Sequence, residues 1–160
     1  MSATPHWILR IDDRLVHGQV CVGWCDALGI PRLVLADDAI AASDFERELY
    51  ACCPAAGQVL EFLGLAELAA ALRQPPPATT LVVLPGTAEA LRLAELGAPL
   101  AEITVGGLHD QPGARQLADY LFLTPAQESD LRALLARGIR LVGQPLPSSP
   151  RLDVGRLLAG

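Results

Sequence analysis

The chain has 160 residues with 51% apolar content, enough for one domain whose core needs no disulfide or metal staple. Its net charge is −6, from 18 acidic residues against 12 basic ones, every one of them arginine. An acidic chain without a basic run lacks the footprint of a nucleic-acid binder, and a chain without lysine can form neither a P-loop nor a lysine Schiff base.

No apolar run approaches the ~20 residues that span a bilayer. The first residues, Met1-Ser2-Ala3-Thr4-Pro5-His6, have neither the basic region nor the apolar stretch of a signal peptide. A cytoplasmic protein is the expectation. The cysteines at 21, 25, 52 and 53 form no Cys-x-x-Cys pair, so they read as reduced thiols packed as small hydrophobes. Neither a metal site nor a cofactor is expected.

In chain order, Trp7-Ile8-Leu9-Arg10-Ile11 reads as a buried first strand that ends at Asp12-Asp13. A helix follows from about Gly18 to Leu28, with Val20, Cys21, Trp24, Cys25 and Leu28 on one stripe and Gly29 as its stop. Arg32 to Ala36 is a second strand, again ending in an acidic pair, Asp37-Asp38. Ser43 is suited to cap a helix carrying Phe45, Leu49 and Cys52 at helical spacing. Val59 to Leu63 reads as strand three and Leu65 to Leu72 as the next helix. Leu81 to Leu84 is a fully apolar fourth strand, followed by a helix from Thr87 to Leu96. Ile103-Thr104-Val105 is strand five, running into Gly106-Gly107, and Tyr120 to Leu123 is a sixth. Thr124-Pro125-Ala126-Gln127 has capping-box spacing with proline at the first helical position. That helix ends at Gly138, before a last strand from Ile139 to Val142.

Strands alternate with helices, and several strands are apolar without alternation, so both of their faces are covered. The fold class is therefore α/β: a doubly wound, mainly parallel sheet with helices on both faces. Functional crevices in such folds lie beyond the carboxyl ends of strands, which directs attention to the loops after strands one, two, four and five.

The loop after strand one holds Asp12, Asp13, Arg14 and His17, then Gly18-Gln19. A neutral imidazole is nucleophilic toward phosphorus at pH 7. The phosphoryl group it would carry brings about −1.5 to −2 charges. Arg14 can answer that charge with a planar fork of donors, and the N-terminus of the next helix adds backbone N–H groups. Either Asp12 or Asp13 can hold the other ring nitrogen and fix the tautomer. Asp37 and the Gly106-Gly107 turn are expected to line the same shallow crevice, the glycines bringing backbone N–H groups close to the phosphoryl group. His109 reads as an exposed loop residue, and His6, before strand one, as inert.

Arg10-Ile11-Asp12-Asp13-Arg14-Leu15-Val16-His17-Gly18-Gln19-Val20 resembles the phosphorylation-site motif of the IIB component of the mannose/fructose/sorbose family of bacterial sugar phosphotransferase systems. The likeness continues through Gly23-Trp24, Asp37-Asp38, the Phe45–Leu49 helix, Pro54 with Gly57, Val105-Gly106-Gly107, Gly113 with Arg115, and Leu123-Thr124. It covers essentially the whole chain, so residues 1–160 read as a single IIB domain. The resemblance implies that His17 is the phosphoacceptor, carrying phosphate on Nδ1 as a pros-phosphohistidine, and that Arg14 contacts that phosphate. Asp12, Asp13 and Gln19 belong to the same motif, with orienting roles. It further implies a protein-phosphohistidine–sugar phosphotransferase. Such a protein takes its phosphoryl group from a phosphorylated IIA protein and passes it to a sugar bound by membrane-embedded IIC and IID components. The protein would be cytoplasmic and peripherally associated with that permease; a homodimer stays open.

The chain departs from the family in lacking lysine and in the sparsely basic loop Leu108-His109-Asp110-Gln111-Pro112. Partner contacts would then rest on arginine, and a regulatory relative that signals through its phosphorylation state is the alternative. A response-regulator receiver is excluded by the missing lysine and by glycine where its acceptor aspartate should stand. The glycines make no Gly-x-Gly-x-x-Gly fingerprint, and no Gly-x-Ser-x-Gly elbow is present.

Overall fold

The computed structural model describes residues 4–160. Its strands are β1 (Trp7–Asp12), β2 (Arg32–Ala36), β3 (Val59–Leu63), β4 (Thr80–Leu84), β5 (Glu102–Gly107), β6 (Arg115–Ala118), β7 (Leu121–Leu123), β8 (Arg140–Gly143) and β9 (Leu152–Asp153). One sheet takes the order β3-β2-β4-β1-β5-β8-β9, and β6 pairs with β7 in a separate antiparallel hairpin. Every pairing in the large sheet is parallel except that of the short β9 with β8.

Alternation along the central strands explains the two-faced burial. Leu33 and Leu35 of β2 and Leu81 and Val83 of β4 face one cluster, while Val34, Ala36, Val82 and Leu84 face the other. The first cluster is closed by Val20, Cys21, Trp24 and Cys25 from the segment after β1, and by Ile40 of α1 (Asp38–Ala41). The second is closed by α3 (Leu65–Ala71), α4 (Thr87–Glu95), α5 (Pro125–Ala136) and α6 (Val154–Ala159). The Thr124–Gln127 capping box forms, and Gly138 ends the C-terminal turn of α5 at a φ of 81°. None of the described helices is long and apolar enough to cross a membrane.

Two local expectations need correction. The segment after β1 is not an α-helix: Gln19–Asp26 is wound as a π-helix. Its wider turn rotates Leu28 off the buried stripe, leaving that residue 50% exposed. α2 (Asp44–Ala51) is capped by Ser43 as expected; it leaves Phe45 and Leu49 exposed and packs Tyr50 against the first cluster. Gly106 and Gly107 are not a turn after β5 but its last two residues. β7 is the sixth strand expected at Tyr120 to Leu123, but it pairs with β6 outside the large sheet; β6, α1, β9 and α6 have no counterpart among the expected elements.

Candidate functional site

β1 lies between β4 and β5, with Asp12 in register with Gly107. The chain leaves β1 toward one face of the sheet through the π-helix, and leaves β5 toward the other through the hairpin and α5. The carboxyl ends of these two neighbours therefore border the crevice that such a topology opens.

Arg10 and Asp12, two apart on β1, project to the same face. Both side chains are wholly buried, with Arg10 Nη2 3.0 Å from Asp12 Oδ2. Arg10 also donates to the carbonyls of Gln144 and Pro145 at 2.8 and 2.9 Å, and its guanidinium stacks 4.9 Å from the Trp24 ring centroid. A buried carboxylate kept ionised must be paired, and Arg10 supplies the pairing from below. The sequence points to Arg14 and His17 but not to Arg10. Its signal was a charge alternating with Asp12 inside an otherwise apolar strand.

Above the sheet edge Asp12 gathers the loop. Its Oδ1 accepts from Arg14 Nε at 3.2 Å and from the Arg14 backbone N–H at 3.1 Å, while Arg14 Nη2 reaches Oδ2 at 3.4 Å. His17 Nε2 lies 3.5 Å from the same Oδ1. The intervening turn closes with Leu15 N–H donating to the Asp12 carbonyl, and Leu15 takes the left-handed conformation at a φ of 61°. A non-glycine residue held there is strained by about 1 kcal/mol. The strain is what turns Arg14 and His17 back onto one carboxylate. The Cys21 N–H bonds the His17 carbonyl, so the histidine sits at the mouth of the π-helix, beside the free N–H groups of its first turn.

Electrostatics follow from this packing. Burial pushes the His17 ring below its ordinary pKa of 6.5, with the Arg14 and Arg10 charges acting in the same sense and Asp12 opposing them. Burial would raise Asp12, but the hydrogen bond from Arg14 and the charges of Arg10 and Arg14 hold it below the usual carboxylate range. The result is a neutral imidazole next to an ionised carboxylate. The His17 side chain keeps 22% of its surface exposed.

Other expected residues are placed differently. Asp13 does not turn to His17: its Oδ1 lies 2.5 Å from His109 Nδ1 and its Oδ2 accepts the His109 N–H at 2.7 Å. His109 is thus exposed, as expected, but clamped to the loop after β1. Gly107 lies under the Arg14 guanidinium, its imagined Cβ 3.2 Å from Nη2, and lines a cavity of about 340 Å³ with Arg14, His109 and Tyr120. Gly106 makes room for Arg10 instead of for a phosphoryl group: a Cβ there would fall 1.9 Å from the Arg10 Cζ. Asp37 ends β2, which β4 separates from β1, and its carboxylate caps α1 through the Ile40 N–H at 2.8 Å. Asp37 and Gly106 therefore do not line the crevice. The side chain of Gln19 lies outside the described part of the structure. His6 bonds the Thr4 carbonyl before β1, at the other edge of the sheet.

Among the thiols, burial drives Cys21 up to about 11 and Cys25 up to about 12, so both remain protonated and inert. Cys52, in contrast, is exposed.

Residues 6–160 match the family described as the PTS system sorbose subfamily IIB component. The N-acetylgalactosamine-specific phosphotransferase enzyme IIB component 1 of Escherichia coli is 28% identical over 156 residues, 96% of this chain and 99% of that protein. The mannose-specific EIIAB component of Escherichia coli is 27% identical over 154 residues, 95% of this chain but 48% of that longer protein. The crystal structure of the IIBSor domain of the sorbose permease from Klebsiella pneumoniae superposes with a TM-score of 0.84 at 24% identity, covering 96% of each chain. That last likeness speaks for the fold.

Proposed function

The chain belongs to the sorbose-subfamily IIB components of the phosphotransferase system, and from that membership we propose that His17 carries the phosphoryl group on Nδ1. As a IIB component the protein is a phosphocarrier of sugar phosphotransfer. The observation that supports this atom is the 3.5 Å approach of Asp12 Oδ1 to His17 Nε2. A carboxylate can only accept, so its approach favours the Nε2–H tautomer, in keeping with the Nδ1 acceptor proposed from the family.

Nδ1 attacks the phosphorus of a phosphohistidine on a IIA protein; the N–P bond to the donor breaks and its electron pair returns to the donor ring. The His17 ring retains its Nε2 proton and becomes cationic, and the buried Asp12 charge stabilises it. Arg14 and the first-turn N–H groups of the π-helix meet the phosphoryl oxygens. In the second transfer a sugar hydroxyl attacks the phosphorus and His17 leaves as a neutral imidazole. The IIA donor is supported by the mannose-specific EIIAB relative, whose name joins A and B components in one chain. The sugar would be presented by membrane IIC and IID components, with this protein at the cytoplasmic face. Nothing observed favours the signalling alternative.

Incubation of His17→Ala with a phosphorylated IIA protein tests this reading. Acid-labile, base-stable phosphate should be absent from the variant and present on the wild type. Undiminished phosphate on His17→Ala would refute the acceptor.

A further inference from the structure

The cluster at Asp12 equips His17 to accept and hold a phosphoryl group, but among the described residues it offers no exposed group placed to receive a proton. The two half-reactions differ in this respect. Transfer from one histidine to another moves no hydroxyl proton, whereas transfer to a sugar requires its hydroxyl to lose one. We propose that His109, oriented by Asp13, is the general base for that second transfer, a role that rests on His17 being the phosphoryl carrier.

Asp13 and His109 form a two-point contact joining the loop after β1 to the loop after β5. The Asp13 backbone N–H bonds the Gly107 carbonyl at 3.1 Å, which fixes Asp13 against the end of β5. Its carboxylate then takes both the ring Nδ1 and the backbone N–H of His109. As a carboxylate Asp13 can only accept, so the contact puts the proton on Nδ1 and leaves Nε2 with its lone pair outward. An acid that orients a histidine through one nitrogen while the other abstracts a proton is a recurrent catalytic arrangement.

The placement suits a sugar hydroxyl. His109 and Arg14 share the walls of the 340 Å³ cavity, and Arg14 is bonded to the same carboxylate oxygen that faces His17. Arg14 and the imidazole of His109 therefore border one opening, and Arg14 links it to His17 through their common partner Asp12. The His109 side chain is 59% exposed, so its captured proton escapes directly to water. The step balances: the hydroxyl oxygen bonds phosphorus, the P–Nδ1 bond of His17 breaks with its electron pair returning to that ring, and the hydroxyl proton passes to His109 Nε2. The imidazolium formed is paired with Asp13. Anchoring of Leu108 to the β6–β7 hairpin, through Leu108 N–H to the Tyr120 carbonyl at 3.0 Å and Phe122 N–H to the Leu108 carbonyl at 2.9 Å, holds this loop in place.

The test separates the half-reactions. Phosphorylation of His109→Gln and Asp13→Asn by a phosphorylated IIA protein is timed first. Discharge of each phosphoprotein is then timed in membranes carrying the IIC and IID components, with mannose, sorbose and N-acetylgalactosamine as acceptors. For His109→Gln, discharge should slow by about 100- to 10,000-fold, the usual contribution of a general base. That loss should exceed any loss in acceptance by at least about 10-fold. Asp13→Asn should show a smaller loss of the same kind. Equal slowing of both half-reactions would make His109 a phosphate contact and overturn the proposal, as would no slowing of either. A partner-free measurement decides independently: ¹⁵N NMR of the unphosphorylated protein should show His109 as the Nδ1–H tautomer, lost in Asp13→Asn. An Nε2–H tautomer in the wild type would overturn it. Failure of His17 itself to be phosphorylated would instead strike at the carrier assignment, so the two failures are distinguishable.

Discussion

Asp12 and Arg10 stand two residues apart on one strand, their side chains wholly buried and their charges 3.0 Å apart, and the proposed phosphocarrier site is assembled on top of that pair. Arg10 secures the charge of Asp12 from beneath the sheet edge. Asp12 in turn positions Arg14 and His17 above it. The chemistry at His17 thus depends on an arginine that never meets the phosphoryl group.

Removing the carboxylate should therefore unfold as well as inactivate. Asp12→Ala leaves the Arg10 guanidinium buried without its counter-ion, a change that costs about 3–5 kcal/mol. Urea unfolding should show that loss. Asp12→Asn keeps the shape but not the charge, and should lose less stability while still accepting phosphate slowly.

The two glycines of β5 should respond differently to alanine. Gly106→Ala drives a Cβ to 1.9 Å from the Arg10 Cζ and should destabilise by about 3 kcal/mol, at the upper end of overpacking costs. Gly107→Ala brings a Cβ to 3.2 Å from Arg14 Nη2 and 3.4 Å from Asp12 Oδ1, contacts that a small shift of Arg14 relieves. It should fold normally and slow phosphoryl transfer. Thermal melts of both proteins alongside a transfer assay check the contrast.

Arg14→Lys retains the charge and loses the fork that spans both oxygens of Asp12. Acceptance from a phosphorylated IIA protein should slow by about 100-fold, the loss on removing one oriented donor. The melting temperature should barely move, since Arg14 is on the surface side of the cluster.

The pH dependence follows from the His17 ring being held below its ordinary 6.5. With neutral His17 as the proposed nucleophile, acceptance should persist at pH 6.5 and fall only at lower pH. The unfolded chain binds a proton more readily than the folded one in that interval. Stability contributed by His17 is accordingly present above pH 6.5 and lost as pH falls toward the folded pKa. Acceptance rates and urea midpoints across this range give both curves.

Much of the fold is legible because the strands are apolar runs punctuated by acidic pairs and glycine, and the Thr124 capping box marks its helix outright. The β6–β7 hairpin is not, since Arg115-Gln116-Leu117-Ala118 neither alternates nor favours strands; tertiary anchoring at Leu108 organises it. Phe45 and Leu49 have the spacing of a buried stripe but face outward, because spacing fixes which residues share a face and not what covers it. At the site, His17 and Arg14 stand out by chemistry. Which aspartate serves which histidine does not, because Asp12 and Asp13 are neighbours on a strand end and only the bulge between Ile11 and Asp12 against β5 decides their directions.

The most direct test of the account is the position of the phosphoryl group on the ring. After phosphorylation by a IIA protein, ³¹P–¹⁵N correlation NMR distinguishes phosphate on Nδ1 from phosphate on Nε2. With Asp12 holding Nε2, the spectrum should show a single pros-phosphohistidine at His17, its Nε2 still protonated. Phosphate on Nε2 of His17, or on His109, would contradict the account.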